Sequence, residues 1–392
     1  MGFTLESDVR VTAIAITFAL GSGLAASDGV DGARGPPHYV VDAGWPEELP
    51  NHWIMGQVAG LAVDRQDHLW VLQRPRSATV DELGADQQPP RSECCAHTPA
   101  VLEFDSAGRV MNAWGGPGFV PDWPHTEHAI WIDGQGDVWI GGSGSGDRQV
   151  LKFSPTGQLL LEIGHPSDAP VDNQDTSILG QPAGIQVDDT AHEVYIADGY
   201  LNNRVVVYDS VSGQFRRGWG AYGIPLSQIE AATPEKPGSA GADHETGYVP
   251  GGAADRQFRT PVHCARLSLD GFVYVCDRRN DRIQVFTREG HFVKEFVVHA
   301  STLGNGSVWT IELSHDRGQH YLLVADGEDN VIWILDRNDG QVVSSLGHNG
   351  RNAGQFHWVH QTAMDSRGNL YTGEVDTGKR VQKFVLQGAA KR

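Results

Sequence analysis

Short apolar runs alternate with polar residues along most of the chain, and most of them stop at an Asp or at a turn containing Gly. That period of two predicts half-buried β-strands, and the turn residues predict hairpins between them. One unit recurs: an apolar strand ending in Asp, a Gly-containing turn, a second strand, a polar loop, a third strand ending near Phe/Tyr-Asp, then a fourth ending in Gly. Its copies begin at Ala59, His128, Ala183, His263, Trp309 and His360.

Four short strands per copy is the size of a propeller blade, so the repeat predicts an all-β, six-bladed β-propeller. The last copy lacks its fourth strand. The segment Tyr39–Gly44 (YVVDAG) has the pattern to supply it, which would close the ring between the two ends of the repeat and remove exposed edges. The elements Asn202-Asn203-Arg204 and Asn280-Asp281-Arg282 are typical of NHL repeats, with a structural role at strand ends. Two inserts, 75–100 and 221–258, are rich in Pro, Gly and acidic residues and read as loops that wall a channel mouth. The organisation expected is therefore a leader at 1–27, a segment at 28–56 with the closing strand, and the propeller at 57–388.

Composition narrows the class. A formal net charge of -19 opposes binding to nucleic acid or to anionic membranes, both of which need a Lys/Arg-rich face. Val11–Leu20 is a short apolar run followed by small residues around Ala25-Ala26, the pattern of a cleaved signal peptide, too short to span a bilayer. Its n-region is poor, with Glu6 and Asp8 before the single Arg10. The expected location is secreted or periplasmic. Four cysteines are few for 392 residues, so disulfides are not the main support. Pairing Ser268 with Phe272 across the Asp270-Gly271 turn sets Cys264 opposite Cys276, which permits a cross-strand disulfide. Cys94 and Cys95 leave a vicinal disulfide, a loop disulfide and free thiols open; with His97 they also raise a second metal site, although their spacing matches no standard cluster.

Alignment of the copies on the Asp that ends the first strand yields the main chemical expectation. Five residues before Asp133 and Asp365 stand His128 and His360, and His263 holds the same slot before Ser268. The other three copies have Ala59, Ala183 and Trp309 there. First strands line a propeller's channel, so alternate blades would bring three imidazoles to one depth, a third of a turn apart. That is a facial nitrogen set with an open side, suited to a catalytic divalent ion such as Zn2+.

These segments carry a resemblance. GQVAGLAVD with QRPRS, EHAIWID, IADGYLNNRVVVY, PVHCARL with DRRNDRIQVF, and VHQTAMDSRGNLY are similar to the catalytic domain of the peptidyl-α-hydroxyglycine α-amidating lyases, from Gln57 to Leu386. The resemblance implies zinc on His128, His263 and His360, a catalytic tyrosine at Tyr200 and an active-site arginine at Arg74. It implies cleavage of the N–C(OH) bond of an α-hydroxyglycine amide, borne by a peptide or small molecule, to an amide and glyoxylate. Tyr200 would be the general base, its phenol (ordinarily titrating near about 10) eased toward phenolate by Arg74 and the metal; Arg74 could instead clamp a substrate carboxylate. Three departures stand out. Gln361 replaces an aspartate that helps hold a structural Ca2+, so calcium does not carry over. Trp358 replaces a methionine, and Leu201 a half-cystine. Two rival readings are a metal-assisted hydrolase of lactones or esters, which needs a carboxylate base beside the metal, and a non-catalytic NHL module that has no use for an open metal site.

Overall fold

The computed structural model describes residues 1–2, 35–230 and 249–387. The chain divides into two compact units, Met1–Gly35 and Pro36–Arg392, and the second holds the architecture described below. Apart from its first two residues, the expected leader at 1–27 lies outside the described residues, as does the middle of the 221–258 insert. No helix among the described residues is long and apolar enough to cross a membrane.

Six four-stranded antiparallel sheets form the blades. Their innermost strands are Gln57–Val63, Glu127–Ile132, Pro182–Asp188, Val262–Leu267, Thr310–Leu313 and Val359–Met364, numbered here as blades 1 to 6. The outer strand of blade 6 is His38–Asp42, which pairs with Val381–Gln387 from His38↔Gln387 to Asp42↔Lys383. The ring therefore closes as expected, with the strand placed slightly earlier than the apolar pattern alone indicated. The 75–100 insert is not wholly irregular: Ala96–His97 pairs in parallel with Trp53–Ile54.

The apolar core lies between blades. Trp70, Leu72 and Val101 of blade 1 pack with Ile130, Ile140 and Phe153 of blade 2, and each following junction repeats this arrangement. Alternation along each strand thus serves two neighbours at once, which is why both faces of the middle strands are apolar. The Cys264–Cys276 disulfide forms across the expected register. Cys94 and Cys95 form a vicinal disulfide, which removes the thiolates that a second metal site there would require.

Buried acids at the ends of second strands are neutralised by an arginine opening the third strand. Asp198 meets Arg204 at 2.7 Å, Asp277 meets Arg282 at 2.6 Å and Glu374 meets Arg380 at 2.8 Å. These ion pairs are the structural role of the Asn-x-Arg and Asp-x-Arg elements. Blade 5 departs: Asp326 pairs in register with Val331, which leaves no arginine in that place.

Candidate metal centre

In five of the six blades the slot residue of the inner strand sits at a bulge; in blade 5 the slot residue, Trp309, immediately precedes the strand. Pairing skips it between Val58 and Gly60, Glu127 and Ala129, Pro182 and Gly184, Val262 and Cys264, and Val359 and Gln361. A bulge frees the extra residue from the ladder and re-aims its side chain. In blades 2, 4 and 6 that side chain is His128, His263 and His360, all buried, with ring centroids 4.7 to 5.0 Å apart. One nitrogen from each imidazole lies within 4.8 Å of the other two.

The three intervening blades orient the rings. His128 Nδ1 donates to the carbonyl of Ala183 at 2.9 Å, and His360 Nδ1 to that of Ala59 at 2.8 Å. His263 Nδ1 donates to the carbonyl of Trp309. Every acceptor is the slot residue of the next blade. With Nδ1–H committed to a carbonyl, the lone pair is left on Nε2, and all three Nε2 atoms converge. Burial, chiefly, holds each imidazole below its ordinary range, with charge at the other histidines and at Arg74 and Arg278 adding to it; His360 falls to about 3. The rings are thus neutral at physiological pH. Three neutral, pre-oriented, converging nitrogens are a donor set suited to a borderline divalent cation such as zinc.

Tyr200 joins the group from the loop after the second strand of blade 3. Its hydroxyl lies 2.8 Å from His128 Nε2 and 3.3 Å from His263 Nε2. Arg74 stands beside the group: Nε donates to the Glu127 carbonyl at 2.8 Å and Nη1 to Gln57 Oε1 at 2.7 Å. Its charge acts on Tyr200 and on all three histidines.

Sequence reasoning missed Arg278 and Arg279. Gln73 pairs with Val58, and Asp277 with Val262, so Arg74 and Arg278 hold one repeat position in blades 1 and 4, opposite each other in the ring. By the same register Arg279 is the counterpart of Tyr200. Arg278 lies 4.6 Å over the Trp309 ring, its charge acts on His263 and His360, and that of Arg279 acts on Tyr200. Aligning the copies on the end of the second strand, rather than on the first strand alone, would have found them. Trp309 fills the slot between His263 and His360, and Trp358 packs against it at 5.5 Å. Gln361, at the departed aspartate's position, accepts from Arg266 at 3.5 Å.

No family model matches the chain. It is 25% identical over 352 residues to the peptidyl-glycine α-amidating monooxygenase of Mus musculus, covering 86% of this chain and 31% of that protein. It is 28% identical over 192 residues to peptidyl-α-hydroxyglycine α-amidating lyase 2 of Drosophila melanogaster, covering 47% of this chain and 43% of the other. NHL repeat-containing protein 3 of Mus musculus is 28% identical over 258 residues, covering 64% and 58%. The match thus spans about a third of the length of the monooxygenases. Among solved structures a streptogramin B lyase superimposes with a TM-score of 0.50 at 13% identity, covering 90% of this chain and 98% of that one, a likeness of fold. The chain is an NHL-type six-bladed propeller similar in sequence to α-amidating enzymes.

Proposed function

We propose that this chain is a zinc-dependent carbon–nitrogen lyase that cleaves an α-hydroxyglycine-type amide to an amide and glyoxylate. The observation that carries the reading is the convergence of three neutral imidazole nitrogens with one phenolic hydroxyl, that of Tyr200, against two of them. His128, His263 and His360 would hold the ion. When bound, zinc would supply Lewis-acid polarisation of the substrate's hydroxyl oxygen.

The residues divide the remaining work. Arg74 and Arg278, at equivalent positions on opposed blades, would bind and orient the substrate carboxylate, for which a guanidinium fork is suited. Tyr200, whose hydroxyl stands against two of the converging nitrogens, would accept the hydroxyl proton. The O–H electrons become the new C=O of glyoxylate, the C–N pair passes to nitrogen, and Tyr200 returns the proton there to complete the amide. Trp309 and Trp358 would exclude water from one side.

The hydrolase alternative needs a carboxylate base, and the described histidine group contains no Asp or Glu. A peptide or small molecule ending in the hydroxyglycine unit is the substrate, and both disulfides fit a secreted or periplasmic location. The decisive test is metal analysis followed by glyoxylate release from a panel of N-acyl-α-hydroxyglycines. Fully loaded protein that releases none would refute the lyase reading.

A further inference from the structure

The three Nδ1 bonds of the histidines tie the ring into pairs: blade 2 to 3, blade 4 to 5, and blade 6 to 1. They leave the junctions 1–2, 3–4 and 5–6 without a polar tie at that depth. Two of these are spanned by side chains already described. Arg74 of blade 1 reaches the Glu127 carbonyl of blade 2, and Tyr200 of blade 3 reaches His263 of blade 4.

The third is spanned from below by Arg266. It follows His263 by three residues on the inner strand of blade 4 and is buried, with 6% of its surface exposed. Nε donates to the Ile311 carbonyl of blade 5 at 3.1 Å, and Nη2 meets Glu312 of the same blade at 3.3 Å. Nη2 also lies 3.5 Å from Oε1 of Gln361 in blade 6, the residue next to His360. The guanidinium lies 5.5 Å over the ring of Trp131 in blade 2, three residues below His128. One side chain of blade 4 therefore touches residues of three other blades, including the other two that carry histidines. Reaching blades 2 and 6 from blade 4 takes the side chain across the channel.

We propose that Arg266 is the positioning residue of the histidine set: a cross-channel brace that fixes the blade carrying His360 against the blade carrying His263. The inference rests on the metal reading above. A tripod for zinc needs its nitrogens about 2.0–2.1 Å from one point, so a shift of a few tenths of an ångström between blades weakens binding. The packed apolar junctions set blade spacing only coarsely, whereas a planar guanidinium with directional partners on both sides sets it closely.

The test uses the full chain and four variants, with zinc affinity read by chelator competition and site geometry by the visible spectrum of the cobalt-loaded protein. Arg266→Ala is expected to weaken zinc about 10- to 100-fold, as loss of an outer partner does, and to alter the cobalt bands. Arg266→Lys should recover part of the affinity, and Gln361→Ala, which removes only the blade 6 contact, should show a smaller loss in the same direction. Arg217→Met, which deletes a guanidinium from the outer strand of blade 3, should cost stability without moving either readout. Crystal structures of metal-free wild type and Arg266→Lys should differ in the position of His360 relative to His128 and His263. Unchanged affinity and cobalt spectrum in Arg266→Ala would overturn the proposal. So would an unchanged histidine triangle in the metal-free structures, whether or not metal binds. Failure to release glyoxylate would count against the lyase chemistry alone, since none of these readouts requires turnover.

Discussion

The phenolic oxygen of Tyr200 lies 2.8 Å from Nε2 of His128, on the nitrogen whose lone pair faces the channel axis. The hydroxyl donates its proton to that lone pair; a cation held by the three histidines would engage the same lone pair and leave the hydroxyl to a ligand. The metal site and the proposed base are thus linked through one nitrogen. Tyr200→Phe is expected to lower turnover by about 10²–10⁴, the range for a lost general base, while zinc content stays at one per chain. Equal glyoxylate release by wild type and variant at equal loading would remove Tyr200 from the mechanism.

Arg74 and Arg278 hold equivalent repeat positions on opposed blades, so their loss should be felt at the same part of the substrate. Each Arg→Ala variant is expected to raise KM for a carboxylate-bearing substrate about 10- to 100-fold, the worth of a hydrogen bond to a charged group. A substrate with a neutral amide in place of the carboxylate should show little difference among wild type and variants. Uniform loss on both substrates would assign the arginines to the fold instead.

The repeat acids offer a paired stability test. Arg204 is fully buried against Asp198, and Arg204→Met would strand that carboxylate, at a cost of about 3–5 kcal/mol in chemical denaturation. Asp326 has no such partner. Burial, with Asp329 and Asp281 nearby, raises it to about 7. A raised carboxyl contributes stability below its unfolded value that is lost as pH rises through 7. Asp326→Asn should therefore stabilise the protein more at pH 8 than at pH 5; an equal effect at both would show that the carboxyl is already ionised at pH 5.

Metal-free protein should be acid-sensitive. The three histidines titrate lower when folded than the ordinary value near 6.5, His360 at about 3, so the unfolded chain takes up more protons between those limits. Their contribution is whole above pH 6.5 and is lost as pH falls toward 3. Denaturation midpoints of the stripped protein should drop across that window, and His360→Gln should make the drop shallower. A midpoint flat from pH 7 to 4 would show that the rings are protonated in the native state.

Much of this was legible before any coordinates. Apolar alternation and turn residues located the six copies; the register through Ser268 and Phe272 put Cys264 beside Cys276; and the shared slot brought out His128, His263 and His360. What the sequence could not show is carried by backbone. The bulge that turns each histidine inward has no residue signature, since Ala59 and Ala183 are bulged alike. The carbonyls that choose the tautomer belong to residues of no chemical distinction. Arg278 was hidden because the first-strand alignment says nothing of the rim, and Arg266 because its partners lie 45 and 95 residues downstream.

The strand His38–Asp42 has a consequence for the order of events in assembly. Blade 6 is woven from both ends of the propeller, so its outer edge stays unpaired until residues 381–387 have been synthesised and brought round to it. His360 belongs to that last sheet, whereas His128 and His263 belong to sheets that are complete earlier in the chain. A partly made chain therefore owns two of the three nitrogens and no way to seat the third. Tight capture of an ion by the three nitrogens would then be a timestamp: it would mark the moment the circle is fastened, and would hold the clasp shut from a point some distance inward of the seam itself.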